Sequence, residues 1–567
     1  MLLRPAWRCL RSNRIVFCNP GEVSHAGDLF FLNSMHDHHI SRAGYNRTVS
    51  KPSQSAAKPS AAVAVKPIRK VLIANRGEIA LRIIRACREK GIATVAVYSD
   101  ADRAALHVLH ADETYRLGPA PASESYLRGD LILDIARKTG TDAIHPGYGF
   151  LSENAAFAEA CEAAKIIFIG PPASAMRMLG SKTKARQAAD AAGMPRVPGS
   201  VKGLASIEEA HTVAREIGYP VMLKAAAGGG GKGMRAIAAE SEMAEAFTSA
   251  SSEAERSFGS GEVYLEKLIL QPRHIEVQLI ADHHGHCLYL GERECSVQRR
   301  HQKVIEEAPS AVVGEDLRRR MGEAAVTLAL AAGYTNAGTI ECLVDAEQNF
   351  YFLEMNTRLQ VEHPVTELVT GLDLVHLQLL VAEGHALPIT QKDVHLRGHA
   401  IECRIYAEDP DNNFFPSPGL ITKLIQPGGP GLREDCAVYE GWRVPLDYDP
   451  MLSKLIAYAP TREMAIDRML RALDEYVIGG IATNINFFRR ILTDADFRAA
   501  RIDTGYLDRL LAKPKTAATE ISADTVNLAA LAAALFEATA APVASAQPAD
   551  TLESEWKVTA RKESLRA

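Results

Sequence analysis

Two short segments near the middle of the chain predict a β-hairpin whose strands carry opposed acidic residues. Thr339–Val344 and Phe350–Met355 are rich in strand-forming residues, and Asp345–Asn349 between them has the composition of a turn. Antiparallel pairing across that turn places Glu341 opposite Glu354, and like charges directly opposed destabilise a sheet. A bound cation removes this penalty. Because carboxylates offer only oxygen ligands, the hairpin is predicted to hold Mg²⁺ or Mn²⁺.

The polar side chains that follow this hairpin alternate with apolar ones. Even positions carry Glu354, Asn356, Arg358, Gln360 and Glu362, and odd positions carry Met355, Leu359 and Val361. In an extended chain this alternation puts the two sets on opposite sides. One side therefore offers metal ligands, a cation for an anion, an amide and a carboxylate. A solvated strand edge is the alternative interpretation.

A glycine-rich loop lies upstream of the hairpin. Lys224 ends a predicted strand, and the loop then contains Gly228, Gly229, Gly230, Gly231 and Lys232. Glycines let backbone N–H groups approach phosphate oxygens without interference from a Cβ atom. The segment is not a Walker A loop, because Gly233 stands where that motif requires serine or threonine. We predict a mobile phosphate-binding lid, with a plain flexible turn as the alternative.

The bulk composition limits the class of protein. At 567 residues the chain is expected to hold about two to four domains. A net charge of −5 argues against general nucleic-acid binding, and the lack of 18 consecutive apolar residues argues against a membrane span. The nine cysteines show no CxxC spacing, which predicts reduced thiols, and Cys295 and Cys342 are interpreted as packing residues.

The order of strand-like and helix-like segments predicts the domain organisation. A buried strand at Lys70–Asn75 and a helix at Ile79–Lys90 begin an alternation that predicts a doubly wound α/β unit over about residues 68–178. A smaller unit over 181–267 contains the glycine-rich loop. From residue 268 the pattern becomes mostly antiparallel.

The first residues differ in composition from the rest of the chain. Four arginines (Arg4, Arg8, Arg11 and Arg14) precede the first acidic residue, Glu22, which is a loose transit-peptide composition. A disordered tail and a translation start at Met35 are the alternatives. Residues 50–66 have the composition of a linker.

Two further polar clusters are candidate binding sites. The run Glu292–Lys303 is dense in arginine and lysine that can hold an anion, and a charged surface loop is its alternative. His283, His284 and His286 are interpreted as a hairpin turn rather than a metal site.

Long motifs then identify a family. The chain resembles the biotin carboxylase component of acyl-CoA carboxylases, an ATP-grasp enzyme, over about residues 68–511. The motifs are Ile73–Ala80 (IANRGEIA), His145–Asn154 (HPGYGFLSEN), the glycine-rich loop, Glu292–Ala308, Phe352–Pro364 and Gly398–Arg404. Ala227 stands where the family often has glycine, and Lys232 where some members have arginine; neither change affects the assignment.

The resemblance implies an α/β fold with four structured parts. These are an N-terminal α/β domain (68–180), an ATP-grasp lid (181–267), an ATP-grasp core (268–397) and a C-terminal α+β domain (398–512). The flanks are a disordered tail or linker (1–67) and an Ala-rich linker with a subunit-contact tail (513–567).

The resemblance also implies a role for each site residue. Residues that would bind the nucleotide are Lys182, Lys224, Gly228–Gly231, Glu266, Lys267, Leu268, His274, Gln298 and His301. Residues that would hold the metal are Glu341, Glu354 and Asn356. Residues that would hold bicarbonate are Lys303, Arg358, Gln360 and the backbone of Val361. Glu362 would be the base that deprotonates bicarbonate, and Arg404 would stabilise the biotin enolate.

The implied reaction is the ATP-dependent carboxylation of biotin by bicarbonate through carboxyphosphate, with Mg²⁺ or Mn²⁺. No Met-Lys-Met biotin-attachment motif occurs in the sequence. The resemblance therefore implies a separate biotinylated carrier protein and a separate carboxyltransferase, as in acetyl-CoA carboxylase and fatty acid biosynthesis. A homodimer in the cytoplasm is expected, with the mitochondrial matrix as the alternative if the N-terminal tail is a transit peptide.

Two rival functions remain open from the sequence. One is another ATP-grasp ligase that forms carboxyphosphate, against which Glu292–Ala308 and Gly398–Arg404 argue. The other is a non-catalytic nucleotide-binding regulator, which would require the loss of Lys303, Glu362 or Arg404, and all three are present.

Overall fold

The computed structural model describes residues 64–200, 202–226, 234–513 and 523–539. Three expectations lie outside these ranges: the tail before residue 64, the phosphate-binding role of Gly228–Gly231, and the subunit-contact tail after residue 539. The side chain of Lys182 is also outside the description.

The N-terminal part is a five-stranded parallel sheet. Its strands are β1 (Lys70–Ile73), β2 (Ala93–Ser99), β3 (Glu113–Gly118), β4 (Ala143–His145) and β5 (Ile167–Phe168). Its helices are α1 (Gly77–Glu89), α2 (Leu106–His110), α3 (Gly129–Thr139), α4 (Ala155–Ala163) and α5 (Ala173–Leu179). The strand order β3-β2-β1-β4-β5, with parallel pairs throughout, confirms the predicted doubly wound unit.

The next part is a small antiparallel sheet with order β7-β6-β8. Its elements are α6 (Lys182–Ala191), α7 (Ile207–Ile217), β6 (Val221–Ala225), β7 (Met234–Ile237), α8 (Met243–Phe258) and β8 (Val263–Lys267). Val221, Leu223 and Ala225 of β6 alternate into its core, as the period of a strand requires. Helix α6 differs, because its Ala185 and Ala189 pack into the core beneath the larger sheet described next.

The remaining chain builds an eight-stranded sheet. In chain order, its first strands and the helices between them are β9 (Arg273–Ala281), β10 (Cys287–Arg299), β11 (Gln302–Ala308), α9 (Glu315–Ala331), β12 (Asn336–Val344), β13 (Phe350–Asn356), α10 (His363–Thr370), α11 (Leu374–Ala382) and β14 (His399–Tyr406). Strands β19 (Leu432–Cys436) and β21 (Met451–Ala459) complete this sheet. Three two-stranded sheets are formed by β15 (Glu408–Asp409) with β16 (Phe415–Pro416), β17 (Gly419–Leu420) with β20 (Arg443–Val444), and β18 (Lys423–Ile425) with β22 (Val477–Gly479). The last helices are α12 (Arg462–Glu475), α13 (Ile485–Thr493), α14 (Ala495–Arg498), α15 (Tyr506–Ala512) and α16 (Ala523–Thr539).

This large sheet joins two of the predicted domains. Its order is β13-β12-β9-β10-β11-β14-β21-β19, and every neighbouring pair is antiparallel. Strand β11 of the predicted core pairs with β14 of the predicted C-terminal domain. The chain from 268 is therefore antiparallel as predicted, and one sheet crosses the predicted boundary at 397/398.

Glu341 pairs with Glu354 across the hairpin of β12 and β13, as predicted, but not by regular pairing from the turn. Phe350 pairs with Val344, and a register shift between Glu341 and Cys342 brings the two glutamates opposite each other. The expectation that the chain stays extended as far as Glu362 is wrong. Strand β13 ends at Asn356, and residues 357–362 form a bend and a turn before helix α10 begins at His363. Gln360 and Glu362 are as buried as Leu359, so a two-sided strand edge does not describe this segment.

The expected hairpin around His283, His284 and His286 is also confirmed. Strands β9 and β10 pair across it, and the Asp282 carboxylate accepts hydrogen bonds from the backbone N–H groups of His284 and His286. Among the described helices, no single one has the length and apolar content to cross a membrane, and only α10 and α11 together, bent by 96°, pass such a test.

Candidate functional site

Lys303 lies at the centre of a buried cluster of acidic residues. Its Nζ atom is 2.5 Å from Glu276 Oε2, 2.8 Å from Glu341 Oε1 and 2.6 Å from Glu362 Oε1. The three carboxylates come from β9, from β12 and from the residue before α10, so adjacent strands and one helix start converge on a single ammonium group. The Lys303 side chain is 12% exposed and that of Glu362 is fully buried.

The charges in this cluster determine its protonation. Burial alone would lower the pKa of Lys303, but Glu276, Glu341 and Glu362 hold it well above its ordinary value. Burial alone would raise the pKa of Glu362, but Lys303, Arg404 and Arg293 hold it well below its ordinary value. Glu362 is therefore a carboxylate at neutral pH, the form that a base requires.

Arg404 on β14 contacts the same carboxylate from the other side. Its Nη2 atom donates to Glu362 Oε2 at 2.9 Å and also pairs with Glu306. The Nε–H group of Arg404 is buried and has no hydrogen-bond partner among the residues that the structure describes. A buried unpaired donor on a cation suits an anionic group of a substrate.

The hairpin residues predicted to hold a metal lie together with His274. Asn356 Nδ2 donates to Glu341 Oε1 at 2.8 Å, and His274 Nε2 lies 3.2 Å from Glu341 Oε2. Glu354 is exposed beside them on β13. Two carboxylates and an amide oxygen are a donor set that Mg²⁺ or Mn²⁺ accepts, so these residues fit the predicted ion.

The segment after the hairpin brings the predicted anion-binding residues together. The Arg358 guanidinium donates to Glu153 Oε2 at 2.9 Å, to Gln360 Oε1 at 3.1 Å and to Asn356 Oδ1 at 3.2 Å. Gln360 Nε2 is buried, and no described residue forms a hydrogen bond with it. The grouping of these side chains thus agrees with the sequence analysis, although a bend rather than a strand produces it.

The predicted nucleotide residues lie in two places. Lys224 and Glu266 meet on the small sheet, with 2.6 Å between Nζ and Oε2. The Lys267 ammonium donates to the carbonyl groups of Gly218 and Tyr219 at 2.9 and 3.0 Å, and the Leu268 N–H group donates to Pro220 O. Lys267 therefore fixes the turn before β6.

The other predicted nucleotide residues belong to the large sheet. Gln298 Nε2 lies 3.0 Å from His274 Nδ1, which joins this pair to Glu341. His301 is exposed in the turn between β10 and β11, where its φ of 63° is left-handed. Lys182 is the first residue of α6.

Several residues of the cluster were not singled out by the sequence analysis. Arg293 is fully buried and donates to Glu276, Gln278, Thr339 and Thr366. Glu276 alternates with apolar Ile275 and Val277 along β9, a pattern that marks a polar strand face and could have identified it. The seven described cysteines are all buried, which agrees with packing roles for Cys295 and Cys342.

Comparisons with known proteins agree with this geometry. Three family models match the chain: "Biotin carboxylase, N-terminal domain" at 67–176, "Carbamoyl-phosphate synthase L chain, ATP binding domain" at 181–390, and "Biotin carboxylase C-terminal domain" at 402–509. The biotin carboxylase of Halalkalibacterium halodurans is 55% identical over 448 residues, which cover 79% of this chain and 99% of that protein. Biotin carboxylase 1 of Bacillus subtilis is 53% identical over 78% of this chain and 98% of that protein.

Solved structures give the same result. The Campylobacter jejuni biotin carboxylase complex with β,γ-ATP aligns with a TM-score of 0.75 at 50% identity, covering 78% of this chain and 99% of that one. The biotin carboxylase domain dimer of Hydrogenobacter thermophilus 2-oxoglutarate carboxylase, in complex with MgADP and bicarbonate, aligns with a TM-score of 0.74 at 47% identity, covering 78% and 97%. The chain therefore belongs to the biotin carboxylase family, whose enzymes carry out the ATP-dependent carboxylation of biotin.

Proposed function

We propose that this chain catalyses the ATP-dependent carboxylation of biotin by bicarbonate, with the biotin attached to a separate carrier protein. One observation carries the assignment of roles: Glu362 is a buried, ionised carboxylate held between the cations of Lys303 and Arg404. A base in that position can take a proton from an anion that the same cations attract.

The first step joins bicarbonate to the γ-phosphate of ATP. Lys303, Arg358, Gln360 and the Val361 backbone orient bicarbonate, and Glu362 removes its proton. The freed oxygen attacks the γ-phosphorus, the bond from that phosphorus to the β-phosphate oxygen breaks, and carboxyphosphate and ADP form. Glu341, Glu354 and Asn356 would hold Mg²⁺, which would neutralise phosphate charge. Lys182, Lys224 and the glycine-rich loop are assigned to the phosphates of ATP.

The second step transfers the carboxyl group to biotin. Carboxyphosphate splits into CO₂ and phosphate, and the phosphate takes the proton from N1′ of biotin. The resulting enolate attacks CO₂ through N1′, so that a carbon–nitrogen bond forms. Arg404, whose buried Nε–H is unpaired, lies beside Glu362 where it can neutralise the enolate oxygen.

The partners are proposed from the family to which the chain belongs. The sequence contains no Met-Lys-Met biotin-attachment motif. One longer relative is the propionyl-CoA carboxylase alpha chain of Ruegeria pomeroyi, 50% identical over 77% of this chain and 67% of that protein. We assign to this chain a biotinylated carrier and a carboxyltransferase, and the latter would choose the final acceptor. The domain dimer of the Hydrogenobacter protein supports a homodimer. Action in the cytoplasm is our proposal for its location.

The test is ADP release by the purified full-length chain with ATP, Mg²⁺ and bicarbonate, with and without free biotin. We expect biotin to stimulate ADP release, and Glu362→Gln to abolish this stimulation while nucleotide binding is retained. Glu347→Gln is the matched control, because Glu347 is exposed in the turn of the same hairpin. Bicarbonate-dependent hydrolysis that ignores biotin would assign the chain to another carboxyphosphate-forming reaction.

A further inference from the structure

The segment 357–362 carries the residues assigned to bicarbonate, yet it lies outside the sheet. Local groups bind two of its carbonyls, since Arg358 contacts Leu359 O and His363 contacts Gln360 O, but both ends of the segment are bound by side chains from distant parts of the chain. At its start the Thr357 N–H group donates to Glu153 Oε1 at 2.9 Å. At its end the Val361 carbonyl accepts a hydrogen bond from Lys454 Nζ at 2.8 Å.

Lys454 is an unusual donor for a carbonyl group. It lies on β21 and its side chain is fully buried, although a buried ammonium is costly unless it is paired. Two carboxylates compensate the charge: Glu78 Oε1 of α1 at 3.3 Å and Asp435 Oδ2 of β19 at 3.6 Å. Helix α1 of the N-terminal part and strands β19 and β21 of the large sheet therefore meet next to the Val361 carbonyl.

We infer that Lys454 is a positioning residue of the bicarbonate site, which it serves by fixing the peptide group between Val361 and Glu362. This inference rests on the proposed function, since it deepens the account of the same site. Lys454 itself touches neither the nucleotide residues nor the Lys303 cluster in the hydrogen bonds described above.

The geometry explains why this peptide group matters. Glu362 is the residue immediately before α10, and its two carboxylate oxygens reach Lys303 and Arg404 in different directions. That arrangement requires one orientation of the Glu362 backbone. A carbonyl held by a buried ammonium cannot rotate without losing a hydrogen bond in a region closed to water, and such a bond to a charged group is a strong one.

The carboxylates around Lys454 have other partners, so the lysine is not needed to hold them. The Arg433 guanidinium binds Asp435 with contacts of 3.0 and 2.9 Å. The Tyr148 hydroxyl donates to Glu78. Burial raises the pKa of Glu78 to about 7, against the lowering effect of Lys454, so Glu78 can become neutral by taking up a proton when the lysine is removed.

The experiment uses the full chain with Lys454→Met, which keeps the length of the side chain and removes the donor. We expect the KM for bicarbonate to rise by about tenfold to a hundredfold, the range for one lost hydrogen bond to a charged group, while the KM for ATP changes by less than about twofold. Lys423→Met is the control, because Lys423 on β18 is an exposed lysine that is paired with Glu440 away from Val361. Unchanged bicarbonate KM in folded Lys454→Met protein would overturn the inference.

Two further variants address the case in which Lys454→Met does not fold and separate the contact to Val361 from the ion pair with Glu78. If Lys454→Met alone fails to fold, the double variant with Glu78→Gln removes both charges of the pair and should fold. Glu78→Gln by itself leaves the hydrogen bond to Val361 and should keep the bicarbonate KM within about twofold of the parent value. An equal rise in both single variants would show that the ion pair, rather than the contact to Val361, sets the KM.

A measurement without turnover separates this inference from the proposed function. Amide hydrogen exchange of residues 357–363 should be at least about tenfold faster in Lys454→Met than in Lys423→Met, because the segment loses one of its anchors. If the parent chain shows no biotin-dependent ADP release but this difference appears, the proposed function fails and the positioning role stands. If exchange is equal in the two variants, the positioning role fails whatever the activity.

Discussion

Glu402 is a buried acid in the large sheet, and its protonation in the folded protein can be tested by measuring stability against pH. It lies on β14 directly opposite Glu306 of β11, and both of its carboxylate oxygens are buried without hydrogen-bond partners in the described part of the chain. Burial raises the pKa of Glu402 well above its ordinary value, against the lowering effect of Lys454, and Glu306 raises it further. Burial also raises the pKa of Glu306 to about 7, although Arg404 opposes this rise. The folded protein therefore keeps Glu402 protonated at pH values where the unfolded chain has already ionised it.

The perturbation is Glu402→Gln, which replaces the protonated acid with a neutral group of nearly the same shape. In the unfolded chain Glu402 releases its proton above a pKa of about 4.3. The folded parent then binds one more proton than the unfolded parent, so its stability falls by about 1.4 kcal/mol for each pH unit, and the variant lacks this loss. Over the pH range in which Glu402 is protonated in the folded chain and ionised in the unfolded one, the variant should gain up to about 1.4 kcal/mol per pH unit relative to the parent.

The assay is urea unfolding at pH 5.5, 6.25 and 7, followed by the fluorescence of Trp442. This residue is buried next to Ile421 and Leu452 in the C-terminal part, and Trp7→Phe and Trp556→Phe remove the other two tryptophans. The free energy concerned is that of the transition which Trp442 reports. Glu463→Gln, on the exposed face of α12, is the control and should show no such pH dependence. A constant difference between Glu402→Gln and the parent would refute the reasoning, because it would mean that Glu402 is ionised and stabilised by Lys454.

Two further predictions concern groups away from the reaction. Burial alone would raise the pKa of Glu307, but His399 and Arg462, which donate to it at 2.7 and 2.6 Å, lower it to about 2. Glu307→Gln should therefore cost about 3 kcal/mol at pH 7, and urea unfolding should show this difference shrinking as the pH falls from about 4.5 towards 2; an undiminished difference at pH 3 would contradict the assignment. Burial raises the pKa of Cys87 and Cys161 to about 12, and all seven described thiols are buried, so an aromatic disulfide reagent should label at most two of the nine cysteines in the native chain and all nine in denaturant. Labelling of three or more native thiols would show that the buried cysteines become accessible.

The hairpin of β12 and β13 shows which structural features can be predicted from the sequence. The sequence predicts the hairpin and the pairing of Glu341 with Glu354, and the structure confirms both. The sequence does not predict the register shift between Glu341 and Cys342 through which the structure achieves that pairing. The bend after Asn356 was not foreseen, because alternation of polar and apolar residues describes a strand only where a neighbour supplies its hydrogen bonds. Thr357 and Val361 instead take theirs from Glu153 and Lys454, which are distant in the sequence.

The same limit applies to the buried acids. Ala400, Glu402 and Arg404 alternate with apolar residues, so the sequence indicates that they share one face of β14. It does not indicate that α10 covers this face or that Glu306 lies opposite Glu402, since both facts depend on non-local packing. Lys303, Arg358, Glu362 and Arg404 were nevertheless identified in advance, because the family motifs carry their positions; their catalytic roles stay predictions that the experiments above test.

The pairing of β11 with β14 constrains how a gene for such a chain can recombine. The matched family models end at residue 390 and begin again at 402, which suggests a join where modules could be exchanged. A fragment that ended there would leave β11 as an open edge, and an open edge strand promotes aggregation. The later module also supplies Arg404 and Lys454 to a site whose remaining residues precede the join. A crossover at this point is viable only when the incoming module restores both the strand pairing and these two cations, so the two parts are expected to be inherited together.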